Sequence, residues 1–267
     1  MPIKHSWSLL WAVAFFASVG VNAAHAAPLM IVGNDEKLLW DDNSKPIISP
    51  AGKDSVLIVD LAEPENPKIV ANLPLKNSVV GPPVNVAIDP MNSVALVADS
   101  IDVIRDGDAL KMGPDNKVYV IDLKANPPKH AGTITVGKQP SGLSFNSAGN
   151  LALVTNRADK SVSVLSVKGT NVKVIDTIEM GGIVSHAVFT PDGKRIIFSS
   201  NYKNPHSRNF DLFLVNSDGT GLEQVTTHPE FDGFPMFSPN GKQLVWAANR
   251  FGSSIEQLDI YIADWVP

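Results

Sequence analysis

Five apolar runs of this chain end in an amide or a carboxylate, at Asn34, Asp99, Asn156, Asn201 and Asn249. If each run is the second strand of a repeated unit, these groups occupy one structural position per unit, at the same end of each sheet. A ring of five carbonyl or carboxylate oxygens could hold a cation or a polar ligand. The same residue types also cap the turn after a strand, which is their commoner use. His186 begins the strand before one of these runs, at the position that Asn85, Gly142 and Phe234 hold in other units. It could contact a ligand or move a proton, although a lone histidine is more often a hydrogen-bonding core residue. Asp232 and His228, in THPEFDG, lead into the last unit and could pair with His186. Replacing Asp232 there is expected to change stability little. Trp40, in a long loop, is a candidate contact residue.

Other chemistry finds no support. The chain has no Gly-x-Ser-x-Gly elbow, no His-Glu-x-x-His, no phosphate-binding glycine loop and no cysteine. The acidic stretch RDGDALKMGPDNK, within the cluster from Asp102 to Asp115, lacks the Asp-x-Asp-x-Asp-Gly progression of a calcium loop and is read as a solvated loop. No catalytic residue, metal ligand set or cofactor is assigned.

The elements that position the candidate residues are repeats. HAVFTPDGKRIIFSSN, from His186 to Asn201, recurs 48 residues later as FPMFSPNGKQLVWAAN, from Phe234 to Asn249. Asp-Leu-Phe-Leu at 211–214 precedes Asp-Ile-Tyr-Ile at 259–262 by the same interval. Each unit reads as a first strand, a Pro-Asp/Asn-Gly turn and a second strand. The second strand is apolar at successive positions, so both its faces must be covered. A third and a fourth strand follow; the first unit lacks its first strand and the last unit its fourth. Short antiparallel strands covered on both faces and repeated at 40–50 residues predict an all-β chain, a β-propeller of four-stranded antiparallel blades. Five blades are counted, with six or an incomplete ring left open. The spacings between successive run ends are 65, 57, 45 and 48 residues, the excess lying mostly between second and third strands. Residues 35–54 and 100–116 are therefore expected as long loops on one face, where binding usually resides.

Residues 1–26 differ in character. Lys4 and His5 precede an apolar run from Leu9 to Val21, and Ala24-His25-Ala26 supplies small residues for a signal peptidase. A cleaved signal peptide is expected, leaving 27–267 as the propeller domain. Its removal takes away Lys4 and no carboxylate, so 21 basic and 27 acidic residues remain, a formal charge of −6. That balance argues against nucleic acid as a partner and against stable membrane association once the signal is gone.

Two resemblances follow from particular stretches. TPDGKRIIFSSN, DLFLVNSDGTGLEQVTTHP and SPNGKQLVWAANR, within 184–265, resemble the WD-repeat-like units of TolB-type periplasmic proteins. SVLIVDLAEPENPKIVANLPL, VNVAIDPMNSVALVADS and VGKQPSGLSFNSAGNLALVTNRADKSVSVLSV, within 29–167, look like the YVTN and LVIVD repeats of bacterial surface and lactonase-like propellers. The resemblance implies a periplasmic or secreted scaffold, often non-catalytic, whose partner is an envelope protein or a small ligand. Lactonase-like relatives are enzymes, but none of their catalytic motifs can be matched here residue by residue. The alternative to a binding scaffold is thus a lactonase-like or other hydrolytic propeller with its site at the channel mouth.

Overall fold

The runs that are apolar at successive positions fold as the central strands of antiparallel sheets, where both faces meet a neighbouring sheet. The computed structural model describes residues 28–43, 45–50, 52–77, 84–251 and 257–266; the expected signal peptide, residues 1–26, lies outside them. Among the described residues every regular element is a β-strand. The chain begins with β1 (Leu29–Asn34), a hairpin of β2 (Leu38–Trp40) and β3 (Pro46–Ile48), then β4 (Ser55–Asp60) and β5 (Lys68–Leu73). The second sheet comprises β6 (Val86–Ile88), β7 (Val94–Asp106), β8 (Ala109–Asp122) and β9 (Lys129–Thr135). The third comprises β10 (Pro140–Phe145), β11 (Leu151–Asn156), β12 (Ser161–Lys168) and β13 (Asn171–Glu179). The fourth comprises β14 (Val184–Phe189), β15 (Arg195–Ser200), β16 (Asp211–Asn216) and β17 (Glu223–Gln224), and the fifth β18 (Asp232–Phe237), β19 (Gln243–Ala248) and β20 (Asp259–Asp264).

This is the β-propeller order. The first sheet, β1-β4-β5, and the fifth each have three strands, and the three between them have four in sequence order. The first strands of successive sheets, β6, β10, β14 and β18, are neighbours in that order. A parallel bridge joins Val84 to Gly142, and Ser144 Oγ donates to the Ala187 carbonyl at 2.6 Å. Four apolar clusters fill the spaces between sheets. Val56, Ile58, Val97 and Ile121 join the first to the second, and Leu96, Val120, Val154 and Leu165 the second to the third. Leu153, Ala187, Phe198 and Phe213 join the third to the fourth, and Ile197, Leu212 and Leu244 the fourth to the fifth. Among the described residues no strand of the first sheet pairs with one of the fifth. Their outward faces carry exposed Met30 and Ile69 at one end and Met236, Ile260 and Ile262 at the other.

The hairpin turns share one design. In Asp89–Asn92, Asn146–Gly149, Thr190–Gly193 and Ser238–Gly241 the fourth residue donates its N–H to the first carbonyl, at 2.8–3.0 Å. In each, the first side chain also accepts an N–H from the strand beyond: Val94 to Asp89 at 2.7 Å, and Leu151 to Asn146, Arg195 to Thr190 and Gln243 to Ser238 at 3.0 Å.

Of the two expected long loops, 100–116 is largely strand and 35–54 contains a short hairpin. Residues 101–114 continue β7 and β8 as a two-stranded ribbon, from Ile101 opposite Pro114 to Asp106 opposite Ala109, paired with neither β6 nor β9. Gly107, at φ 60°, supplies the positive φ that a type II′ turn requires at its first central position. Residues 35–54 likewise contain the β2–β3 hairpin. In the ribbon alternating apolar positions flank a tight turn, and in both stretches backbone pairing satisfies N–H and C=O groups that a loop would leave to water.

The glycines of the turns set up a test. Gly193 and Gly241 have φ near 70° (70° and 68°), but a Cβ on Gly193 would meet nothing within 4 Å, whereas one on Gly241 would lie 2.8 Å from Pro191 of the neighbouring turn. Gly193→Ala is expected to cost about 1 kcal/mol from backbone strain alone, and Gly241→Ala about 2–4 kcal/mol because overpacking adds to it. Urea unfolding of the two variants measures the difference; equal losses would contradict the turn-to-turn contact.

Candidate functional site

The strand-end amides are tied to their own sheets. Asn34 Nδ2 donates to Ser55 Oγ at 3.2 Å, across β1 and β4. Asn156 Nδ2 donates to Ser161 Oγ and Ser163 Oγ of β12, at 3.1 and 2.9 Å, and its Oδ1 is buried without a partner. Asn201 Oδ1 accepts the Ile183 N–H at 2.9 Å, and its Nδ2 reaches the carbonyls of Pro205 and Ser207 at 3.3 and 3.1 Å. Asn249 is buried, with its N–H on the Phe231 carbonyl at 2.9 Å. These contacts fasten the segment entering or leaving each sheet, the capping use of such residues.

His186 is 2% exposed, and its Nδ1 has no hydrogen-bond partner among the described residues. Burial pushes its pKa down to about 4, so the imidazole is neutral over the physiological range. Half-buried Asn85 accepts the Ala98 N–H on its carbonyl at 2.8 Å. The backbone of Trp40 pairs with Pro46 in the β2–β3 hairpin, and its side chain lies outside what is described.

Asp232 differs from its expected role. It is fully buried and accepts from Trp246 Nε1 at 2.9 Å and from Arg250 Nη2 at 2.8 Å. The Arg250 guanidinium lies over the Tyr261 ring, 4.8 Å from its centroid. Neither Asp232 nor His228 forms the suggested pair with His186: His228 Nδ1 instead accepts the Glu230 N–H at 3.2 Å. Asp232 is thus a structural anchor of the last sheet, because the indole and the guanidinium both need an acceptor where water is excluded.

The residues that sequence reasoning missed lie where the first two sheets meet. Lys37 is 1% exposed; it pairs with Asp54, lies 3.5 Å from Asp35, and donates to the Asn77 carbonyl at 2.9 Å. Beside it, register shifts between Asp99 and Ile101. Asp99 stands opposite Lys117 and Ile101 opposite Pro114, so Asp115 and Asn116 share the place facing Ser100. Such a bulge re-aims side chains. One oxygen from each of Asp99, Asp102 and Asp115 comes within 4.8 Å of the others. Asp102 is buried and Asp115 half-buried, so the expected solvated acidic loop is not what forms. Asp102 pairs with Lys76, and Asp115 with Lys117 at 2.6 Å. Asp99 is fully buried; its Oδ2 lies 3.5 Å from the Tyr119 hydroxyl and its Oδ1 has no partner. Burial first, then the charges of Asp115 and Asp102, push its pKa up to about 7. The signal that could have exposed this arrangement was Gly107-Asp108 between alternating Ile101, Val103 and Leu110, Met112, which marks a hairpin.

With that geometry the chain belongs to the class of β-propellers, and comparison with solved structures agrees. TolB from Acinetobacter baumannii superposes with a TM-score of 0.53 at 18% identity, over 90% of this chain and 51% of that one. A Bacteroides fragilis protein described as a candidate 6-phosphogluconolactonase gives 0.50 at 15%, over 89% and 81%. A chain of the nidogen/laminin complex gives 0.50 at 15%, over 79% and 75%. At such identities the likeness establishes the fold alone. This chain spans about half the length of the Acinetobacter TolB chain (51%). No protein-family profile matches the sequence, and no curated protein matches it significantly.

Two outcomes follow. Asp232→Ala should lower stability by about 2–4 kcal/mol, since it removes a buried carboxylate that two half-buried donors share; a loss below about 0.5 kcal/mol in urea titration would restore the exposed-loop reading. His186 in the folded state resists the proton that the unfolded chain takes up below about pH 6.5. Stability from it is therefore full above that pH and is lost as pH falls towards about 4, by on the order of 3 kcal/mol. Asp99, whose pKa is raised, acts with the opposite sign between about 4 and 7, so the measurement is a difference. The stability gap between wild type and His186→Gln should shift by about 2–3 kcal/mol between pH 7.5 and pH 4.5; a constant gap would mean that His186 is not held neutral.

Proposed function

We propose that this chain is an exported, non-enzymatic β-propeller that binds an envelope protein or a small ligand through the face formed by its second-to-third-strand connections. The observation that carries the reading is the β7–β8 ribbon. Residues 101–114 extend past the sheet as regular paired strands, with Ile104 and Met112 44% and 42% exposed beside Arg105 and Lys111. An ordered arm that presents apolar side chains among charges is suited to contact: its backbone groups are already paired, so little ordering cost remains on binding. The β2–β3 hairpin belongs to the corresponding connection of the first sheet. The strand-end amides are engaged in fastening segments, and His186 is buried and neutral, which supports binding over acid–base chemistry. The likeness to TolB supports an extracytoplasmic setting, as does the expected signal at residues 1–26.

The test compares wild type with an Ile104→Glu/Met112→Glu variant. Cross-linking in a native envelope fraction should give wild type one saturable adduct, reduced at least tenfold in the variant, while a panel of lactones and esters is hydrolysed no faster than in buffer. Equal cross-linking of both proteins would sink the ribbon as the contact. Saturable lactone turnover that His186→Ala abolishes would replace the scaffold with the hydrolytic reading.

A further inference from the structure

The carboxylates at the root of the ribbon have a geometry and charge of their own. Asp99, Asp102 and Asp115 each offer one oxygen, and these atoms lie within 4.8 Å of one another. Oxygens that share one calcium ion, at about 2.4 Å each, lie at most about 4.8 Å apart, and three protein carboxylates suit calcium, whereas magnesium keeps several waters and takes one or two. All three donors are hard carboxylate oxygens, with no histidine or cysteine among them.

Asp99 supplies a separate observation. It is fully buried and faces this group, yet its Oδ1 accepts no hydrogen bond from any described residue. A buried carboxylate oxygen without a donor is costly, and so is a ready acceptor for a cation. The lysines nearby are committed elsewhere: Lys76 to Asp102, Lys117 to Asp115, and Lys37 to Asp54 and Asp35. Lys76 and Lys117 balance two of the three carboxylates, so that with Asp99 ionised, as at pH 8, the group keeps a negative charge that a cation can meet. We propose that Asp99, Asp102 and Asp115 form a binding site for a hard divalent cation of calcium size at the base of the β7–β8 ribbon.

The site needs no assumption about the partner of the ribbon, so its failure and that of the scaffold reading are distinguishable. The experiment treats the purified protein with EDTA, removes the chelator, and titrates calcium chloride at pH 8 by calorimetry, with thermal unfolding in parallel. Expected are one saturable site, a rise in melting temperature, and binding of magnesium at least tenfold weaker than that of calcium. Asp99→Asn and Asp115→Asn should each weaken calcium at least tenfold. Asp106→Asn, an exposed ribbon position paired with Lys111, should bind as wild type does. Should Asp99→Asn fail to fold, Asp115→Asn decides alone, since that side chain reaches solvent (10% exposed) where Asp99 does not. Absence of any calcium effect on wild type up to 5 mM (roughly the weak end of extracellular sites), or affinity unchanged in Asp115→Asn, overturns the proposal.

Discussion

The structure depends on sheets that are apolar on both faces. A strand such as Leu96-Val97-Ala98 sends Leu96 and Ala98 into the cluster shared with the third sheet and Val97 into the one shared with the first. No single sheet can bury such a strand, so the sheets must stack, and each interface is filled by alternate residues of two neighbours. The same reasoning describes the ends of the stack. The first and fifth sheets have one neighbour each among the described residues, and their outward faces keep Ile69 and Ile262 exposed.

Stacking apolar sheets leaves their ends as the place where backbone groups lack partners, and this chain answers with small polar side chains. Asn34 and Asn156 bond to serines of their own sheet and Asn201 to carbonyls of the connection that follows it, and on the opposite face Asp89, Asn146, Thr190 and Ser238 close the hairpins. At one strand end the pattern changes. Asp99 carries a carboxylate where the other units have an amide, and a carboxylate cannot donate to the strand beside it as Asn156 donates to Ser163. Among the described residues its side chain receives one long contact, from the Tyr119 hydroxyl at 3.5 Å, which leaves an acceptor to spare.

What was legible in the sequence is what local chemistry determines. The turns at 190–193 and 238–241 follow from Pro, Asp or Asn and Gly at fixed offsets, and the doubly covered strands from unbroken apolar runs. The ribbon had a local signal too, but Asp102, Arg105, Asp106 and Asp108 gave the stretch the look of a solvated loop. Lys37 shows why the rest was hidden. Its burial is tolerated only because Asp54, 17 residues on, and the Asn77 carbonyl, 40 residues on, converge from other elements. Asp232 likewise waits for Arg250. Such partnerships are set by tertiary packing, so composition and periodicity do not contain them. The candidate ring of strand-end groups was therefore found by position, while the contacts of each member were not.

The ribbon and the carboxylates are consequences of one irregularity. Adding two strands beyond the sheet requires pairing to resume after Asp99, and it resumes with a shifted register, Ile101 opposite Pro114. That shift places Asp115 on one strand near Asp99 and Asp102 on the other. Lys117 pairs with Asp115 within β8, and Lys76 reaches Asp102 of β7 from the segment after β5, outside the second sheet. The root of the ribbon is thus tied to the segment after β5 by one charge pair, Lys76 with Asp102, at the point where the extension begins. A change in charge at Asp99, Asp102 or Asp115 acts on a short lever, whose middle carries Ile104 and Met112. The contact proposed for the ribbon and the electrostatics at its root therefore belong to one mechanical unit, joined by the paired strands between them.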